Sequence, residues 1–225
     1  MIQNLKVTYK YTSSAYVANQ WLRTLPDLIA CDFEAAVKFT PEQIADFKLQ
    51  LESATTNRQR VTLDALINAT ALDHPSKVDL THLQVAWSDH EAFVFILDNR
   101  RIHDLILNFL VTTTKRQVWH NATFDFKHIY YHTGKLPLEF EDTQILAKTV
   151  LNHVEVHKAK TGLKELAGHK YGQWAISPDY FTKSQMYDKD LLLYAATDAC
   201  ATFWLWNSIK RHIQSEENLK KSTCN

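Results

Sequence analysis

The chain of 225 residues has no net formal charge, because 25 lysine and arginine residues are balanced by 25 aspartate and glutamate residues. A protein that coats nucleic acid passively needs a basic surface, so this balance argues against that function. Any contact with nucleic acid must therefore depend on local lysines, on metal ions or on base stacking. The hydrophobic content of 45% and the charged content of 22% are typical of a globular chain of about one domain.

Cysteine is also scarce, and the three cysteines (Cys31, Cys200 and Cys224) show neither C-x-x-C spacing nor an even disulfide framework. They are therefore expected to be reduced thiols. The sequence lacks a signal-peptide core and an apolar run of membrane-spanning length, which predicts a cytoplasmic protein without a membrane partner. The 11 histidines do not form an H-E-x-x-H motif, and His153 and His157 lack a third ligand nearby, so no zinc site is predicted.

Hydrophobic periodicity predicts an α/β fold in which strands come first and then alternate with helices around a mixed sheet. The predicted strands cover about 5–11, 28–34, 82–88, 92–97 and 117–120. The predicted helices cover about 14–23, 41–51, 63–71, 102–110, 124–131, 142–151, 163–167 and 190–213. The segment 40–77 is predicted to be a helical insertion that follows the second strand.

The strand 28–34 ends in two acids, Asp32 and Glu34. Residues two apart on a strand project from the same face, so both carboxylates would lie side by side. Two buried like charges are unfavourable unless a cation neutralises them, and a divalent metal ion usually does so. The alternative is a strand that ends at Cys31 and releases both acids into a solvated turn.

Two further acids, Asp125 and Asp198, occur at positions where a buried functional carboxylate is plausible. Asp125 would lie in the first turn of the helix that follows the strand 117–120, at an edge where α/β sites form. Alternatively, Asp125 is a first-turn acid favoured by the helix dipole. Tyr194 and Asp198 are four residues apart and share one face of the last helix, which is otherwise apolar. An unpaired aspartate there would be strongly destabilising, so the sequence indicates a function for Asp198.

The motifs Asp32-Phe33-Glu34, Asn121 to Asp125 and Tyr194 to Asp198, in this order, resemble the three motifs of the DEDDy group of 3′→5′ exonucleases. The resemblance is closest to the proofreading exonuclease domain of bacterial and phage family A DNA polymerases, and it includes the helix start at Asp142-Thr143 and the segment 162–167. It implies an RNase H-like fold, which is a mixed central sheet flanked by helices. The helical insertion predicted from the residue pattern follows the first catalytic strand of this fold. The exonuclease domain would cover 1–214, with the insertion at 40–77 and a polar tail at 215–225. The insertion is longer than is typical of polymerase exonuclease domains, and no polymerase follows.

The resemblance also implies two divalent metal ions, Mg²⁺ or Mn²⁺, held by four carboxylates. These implied ligands are Asp32, which would bridge both ions, and Glu34, Asp125 and Asp198. Tyr194 would orient the attacking water, because an unperturbed tyrosine titrates near ~10 and is a poor base at neutral pH. The alternative for Tyr194 is a core tyrosine with a satisfied hydroxyl group.

The implied substrate contacts are less specific. Asn121 and Phe124 would contact the terminal nucleotides, although Asn121 could equally cap the next helix and Phe124 could belong to the core. A basic group near the first motif could grip a single strand, or it could belong to a solvated helix pair. This group consists of Lys38, Lys48, Arg58 and Arg60.

The sequence therefore predicts a metal-dependent DNA 3′→5′ exonuclease that releases nucleoside 5′-monophosphates from single-stranded or mismatched 3′ ends. Its expected location is the cytoplasm of a bacterial or phage-infected cell, with proofreading for a separate DNA polymerase as one role. One alternative is a 3′→5′ exoribonuclease that resembles RNase D. A second alternative is a non-catalytic nucleic-acid-binding module that keeps the exonuclease fold.

Overall fold

The computed structural model describes residues 6–37, 41–68, 75, 78–152, 160–176 and 183–223. The strands are β1 (Thr8–Thr12), β2 (Leu28–Val37), β3 (Val78–Ala86), β4 (Glu91–Ile96), β5 (Arg116–Trp119) and β6 (Phe140–Asp142). Within these residues they form one mixed sheet in the order β1-β4-β3-β2-β5-β6. The predicted α/β architecture is confirmed. No helix in the described ranges combines the length and the apolar character that crossing a membrane requires.

Strand β2 lies inside the sheet, where it pairs antiparallel with β3 and parallel with β5. The register places Asp32 opposite Gln84 and Glu34 opposite His82. The pairing shifts immediately after Glu34, where Ala35 lies opposite Leu80. A β-bulge bends the strand locally, and bulges are common next to functional sites. The acid-bearing strand is therefore an interior strand of the sheet.

The helices are α1 (Ala15–Thr24), α2 (Pro41–Ser53), α3 (Asn57–Asn68), α4 (Arg100–Thr112), α5 (Thr123–Thr133), α6 (Thr143–Asn152), α7 (Leu163–Tyr171) and α8 (Lys189–Thr223). Ser14 caps α1 and Asn99 caps α4 through side-chain oxygens that accept backbone N–H groups. Helices α2 and α3 lie in the predicted insertion.

The alternation of β2 separates its side chains between two packed layers. Cys31 and Phe33 enter the core that α1, α4 and α5 form on one face. Ala30 enters the other layer, where it packs with Ala196 and Ala199 of α8. Small residues on both sides allow the helix to approach the sheet closely. Because Asp32 and Glu34 share the side of Ala30, they face α8.

Several element boundaries differ from the sequence prediction. Strand β6 was not predicted, because three residues without an apolar alternation give no strand signal. Strand β3 begins at Val78, four residues before its predicted start, and α3 begins at Asn57 inside a predicted loop. Helix α8 continues to Thr223, so most of the predicted tail at 215–225 is helical. Polar residues can continue a helix without contributing an apolar pattern.

Cys31 and Cys200 are buried free thiols. His153, His157 and Cys224 lie outside the described residues.

Candidate active site

Three carboxylates converge between the centre of β2 and the middle of α8. Asp32, Glu34 and Asp198 each offer one oxygen, and these atoms all lie within 4.8 Å of one another. Glu34 is 8% exposed and Asp198 is 6% exposed, whereas Asp32 is partly accessible. The alternative in which both strand acids enter a solvated turn is wrong, because β2 continues to Val37.

Asp125 lies beside this group but does not belong to the set of three converging oxygens. Its Oδ1 atom accepts a hydrogen bond of 3.2 Å from the backbone N–H of Phe33, the residue between Asp32 and Glu34. This bond joins the first turn of α5 to β2. Asp125 is 4% exposed, so its carboxylate is buried against the strand that carries the two acids.

Burial and mutual repulsion make these carboxylates hard to ionise. Burial raises the pKa of Asp32 well above its ordinary value, and the charges of Asp125 and Asp198 raise it further. Burial also raises the pKa of Glu34, and the charges of Asp32 and Asp198 raise it further. Burial raises the pKa of Asp125 to about 7. A bound cation would oppose these shifts, because it stabilises the charged form of every carboxylate around it.

Gln84 is a buried polar residue at the site that sequence reasoning missed. Its Nε2 atom donates to Asp32 Oδ2 at 2.8 Å and to Glu34 Oε1 at 3.3 Å. One amide group therefore holds the two strand acids in a fixed orientation. The available signal was a glutamine within a predicted strand, but its role depends on the β2–β3 register.

Lys164 and Trp174 meet Asp198 from the other side, and sequence reasoning assigned no role to either. Trp174 Nε1 donates to Asp198 Oδ1 at 2.6 Å, and the Lys164 ammonium group forms an ion pair with the same oxygen. Lys164 lies on α7, and Trp174 lies just after α7. Lys164 belongs to the segment 162–167, which is part of the family resemblance. No feature of the sequence indicated a functional role for Trp174.

Tyr194 lies one turn before Asp198 and donates a hydrogen bond to its carboxylate. The Lys164 Nζ atom lies 4.3 Å from the centre of the Tyr194 ring. Burial, together with the charges of Asp198, Glu34 and Asp32, raises the pKa of Tyr194 far above its ordinary value. The hydroxyl group is therefore protonated at neutral pH and can donate a hydrogen bond.

The residues predicted to contact substrate lie around the start of α5. Asn121 is exposed and adopts a left-handed backbone conformation with φ of 57°. It does not cap α5, whose N-cap position is Ala122 without a side-chain bond, so the capping alternative for Asn121 is wrong. Phe124 is half-buried and packs partly against the core. Lys38 lies outside the described residues.

The carboxylate of Asp142 takes the capping role at this turn. It accepts the backbone N–H groups of Asn121 and Ala122, and also those of Gln144 and Ile145 at the start of α6. Asp142 therefore caps α6, at the helix start that the family resemblance placed at Asp142-Thr143.

The donor set suits a hard divalent cation. All of the converging atoms are carboxylate oxygens, which Mg²⁺ and Mn²⁺ prefer, and no soft ligand contributes to the group. Burial raises the pKa of Asp32, Glu34 and Asp125, and neighbouring acids add to the shift for Asp32 and Glu34, so the charged carboxylates are disfavoured without a cation. The residues present therefore fit a divalent metal site.

Comparison with known families gives a match over 69–214 to the model described as 3′-5′ exonuclease. This range includes Asp125 and Asp198 but begins after Asp32 and Glu34, which the fold brings to the same site. No curated protein sequence matches the chain significantly.

Solved structures with a similar fold share little sequence identity with the chain. Brucella melitensis NrnC with bound Mg²⁺ has a TM-score of 0.57 and 16% identity, over 95% of this chain and 83% of that chain. Escherichia coli RNase D has a TM-score of 0.60 and 14% identity, over 93% of this chain but only 46% of that chain. Trypanosoma brucei RNase D in complex with RNA U12 has a TM-score of 0.56 and 16% identity, over 90% and 62% of the two chains.

Proposed function

Because the chain belongs to the 3′-5′ exonuclease family, we propose that it removes nucleotides one at a time from a single-stranded 3′ end by metal-dependent hydrolysis. The observation that carries this proposal is the convergence of Asp32, Glu34 and Asp198 within 4.8 Å, beside the buried Asp125. The four acids come from three separate parts of the sequence, and the family match alone contains only two of them.

The site residues would hold the ions and the attacking water. Two divalent ions bound by these acids would activate the water and stabilise the leaving 3′-oxygen of the penultimate nucleotide. Gln84 holds Asp32 and Glu34, Trp174 holds Asp198, and the Phe33 N–H holds Asp125. Mg²⁺ is the proposed ion, in keeping with the Mg²⁺ bound to the similarly folded NrnC.

Tyr194 would orient the attacking water rather than remove its proton. Its raised pKa keeps the hydroxyl protonated, so the group acts as a hydrogen-bond donor at neutral pH. Because the same hydroxyl bonds to Asp198, a water on the metal side of Asp198 would lie within its reach. The terminal nucleotides would contact the exposed side chain of Asn121 and the accessible part of Phe124.

Two substrate classes have support from different observations. The family model belongs to the DNA polymerase A type of exonuclease, which favours DNA and a proofreading role beside a separate polymerase. The similar fold of an RNase D in complex with RNA favours RNA as the second candidate. The chain spans less than half of Escherichia coli RNase D, so the additional part of that enzyme has no counterpart in this comparison.

Digestion of matched 5′-labelled DNA and RNA oligonucleotides tests the proposal directly. With Mg²⁺ we expect a ladder that shortens from the 3′ end, and with a chelator we expect none. A DNA duplex with a mismatched 3′ end should be shortened faster than a paired one if the enzyme proofreads. The faster of the DNA and RNA ladders identifies the substrate class.

Asp198→Asn is the variant that ties the activity to this site. It should lower the rate by at least ~10³-fold, because it removes a charged metal ligand while preserving side-chain shape. Far-UV circular dichroism would check that the variant is folded. Oligonucleotide binding without shortening in the wild-type protein would contradict the proposal and support a non-catalytic binding module.

A further inference from the structure

Lys164 occupies a position that the proposed hydrolysis does not explain. Its ammonium group forms an ion pair with Asp198 Oδ1, an oxygen that also accepts the Trp174 N–H. The Nζ atom lies 4.4 Å from the centre of the Trp174 ring and 4.3 Å from that of Tyr194. A positive charge is therefore held between two aromatic faces, against a proposed metal ligand.

The ammonium group supplies positive charge that the acid cluster needs when metal is absent. The Lys164 charge lowers the pKa of both Asp32 and Glu34, against the larger effects of burial and of neighbouring acids. Lys164 thus acts on three carboxylates although it contacts one of them directly.

A divalent ion and this ammonium group compete for the same oxygens. Mg²⁺ binds carboxylate oxygens at about 2.1 Å, and the three candidate oxygens lie within 4.8 Å of one another. Two cations held on Asp198 at such distances would repel each other. The Lys164 side chain is 38% exposed and has a flexible four-carbon stem, so the ammonium group has room to withdraw.

The substrate would give the displaced ammonium group a new partner. In the proposed reaction, Asp32, Glu34 and Asp198 would hold the ions, and the terminal phosphodiester would bind beside these residues. A lysine ammonium group is a point-charge donor well suited to phosphate oxygens. With the phosphate bound, withdrawal from Asp198 no longer leaves the ammonium group without an anionic partner.

We infer that Lys164 exchanges between Asp198 in the metal-free enzyme and the substrate phosphate in the loaded enzyme, so that it couples metal binding to substrate binding. This inference rests on the proposed function, because it requires the metal site at Asp198. It assigns Lys164 two effects: it weakens metal binding when substrate is absent, and it strengthens metal binding when the phosphate is present.

Lys164→Met removes the charge while keeping the length of the side chain, and Lys164→Arg keeps the charge. Lys170→Met is a matched control, because Lys170 lies on the same helix, pairs with Asp89 and lies 5.6 Å from the centre of the Tyr171 ring. Mn²⁺ affinity is measured for each protein by electron paramagnetic resonance, with and without an oligonucleotide. The oligonucleotide carries a non-hydrolysable methylene-phosphonate at its terminal linkage.

We expect Lys164→Met to bind Mn²⁺ about tenfold more tightly than the wild type without oligonucleotide, as is typical of such coupling. The oligonucleotide should raise Mn²⁺ affinity in the wild type, Lys164→Arg and Lys170→Met, but much less in Lys164→Met. Lys164→Met should also melt at a lower temperature in chelator and recover in Mn²⁺. A purely structural lysine would lower the melting temperature equally in both conditions.

Unchanged or weaker Mn²⁺ binding by Lys164→Met would overturn the inference, as would an undiminished effect of the oligonucleotide. Failure of the proposed metal site is a separate result: the wild type and Asp198→Asn would then bind Mn²⁺ equally well, whatever the lysine variants do.

Discussion

Gln84 shows how a single neutral side chain can organise two acids. Its amide nitrogen donates to Asp32 and Glu34, and these bonds favour the charged forms that a metal ion requires. The Gln84 Oε1 atom is buried without a hydrogen-bond partner, so this residue also carries an unfavourable contribution to stability. A residue with an unsatisfied polar atom beside two acids is better explained by function than by stability.

Gln84→Met should lower Mn²⁺ affinity by about tenfold, the size expected when a ligand loses its supporting hydrogen bond. Gln117→Met is the control, since Gln117 is also buried on a strand and its amide donates to the Leu110 carbonyl. Each variant should change the unfolding free energy by no more than about 1–2 kcal/mol, because each loses donated hydrogen bonds together with a buried amide oxygen that has no partner. Urea unfolding and Mn²⁺ titration measure the two effects, and equal Mn²⁺ affinities would contradict the assigned role.

At the scale of elements, the short strand β6 connects two helices through one carboxylate. Asp142 ends β6, and its oxygens accept four backbone N–H groups from the turn before α5 and from the first turn of α6. The turn before α5 includes Asn121 in its left-handed conformation and leads directly to Asp125. Asp142 therefore supports the position of Asp125 without belonging to the acid cluster.

Asp142→Ala should lower the free energy of unfolding by about 2 kcal/mol, because it leaves helix-terminal N–H groups without their acceptor. Asp142→Asn retains one acceptor oxygen and should lose less. Asp104→Ala is the control, since this exposed aspartate contacts only side chains of its own helix, Arg100 and His103, among the described residues and should change stability by under ~0.5 kcal/mol. Urea unfolding measures all three, and an unchanged midpoint for Asp142→Ala would show that water replaces the cap.

At the scale of the whole molecule, a chain of zero net charge concentrates negative charge at one place. Folding brings Asp32 and Glu34 together with Asp125 and Asp198, which lie far from them along the sequence; three of these acids are buried and Asp32 is partly accessible. The raised pKa values report this unfavourable arrangement, which a bound cation would relieve. The unfolding free energy of the metal-free protein should therefore fall as pH rises. In a protein with paired surface acids, it rises with pH instead.

The pKa of Asp125 is about 7 in the folded protein and near ~3.9 in an unfolded chain. Between these values the folded state binds a proton that the unfolded state has released, so rising pH favours unfolding. The Asp125→Asn variant has no titratable group at this position, so its stability lacks this contribution to the pH dependence. In chelator, the unfolding free energy of the wild type relative to Asp125→Asn should fall between pH 4 and pH 7, by at most ~1.4 kcal/mol for each pH unit. A constant or growing difference would contradict the raised pKa.

Several parts of the site and fold follow from local pattern alone. The period-two alternation of β2 placed Asp32 and Glu34 on one face, opposite Cys31 and Phe33. The helical spacing of Tyr194 and Asp198 placed both on one face of α8, where they form a hydrogen bond. Which residues share a face depends only on the geometry of one strand or one helix. The local sequence determines that geometry over a few residues.

The tertiary structure decided everything that depends on how the elements meet. The register between β2 and β3 aligned Gln84 with Asp32, and the packing of α7 on α8 carried Lys164 to Asp198. Trp174 reached the same carboxylate from a segment without regular structure. Hydrophobic periodicity identifies buried faces, but it does not specify register or helix placement, because these depend on packing between residues distant in sequence. The sequence by itself thus predicted the acids, the tyrosine and the α/β class, whereas the amide, the lysine and the tryptophan that contact the acids became visible only in the folded protein.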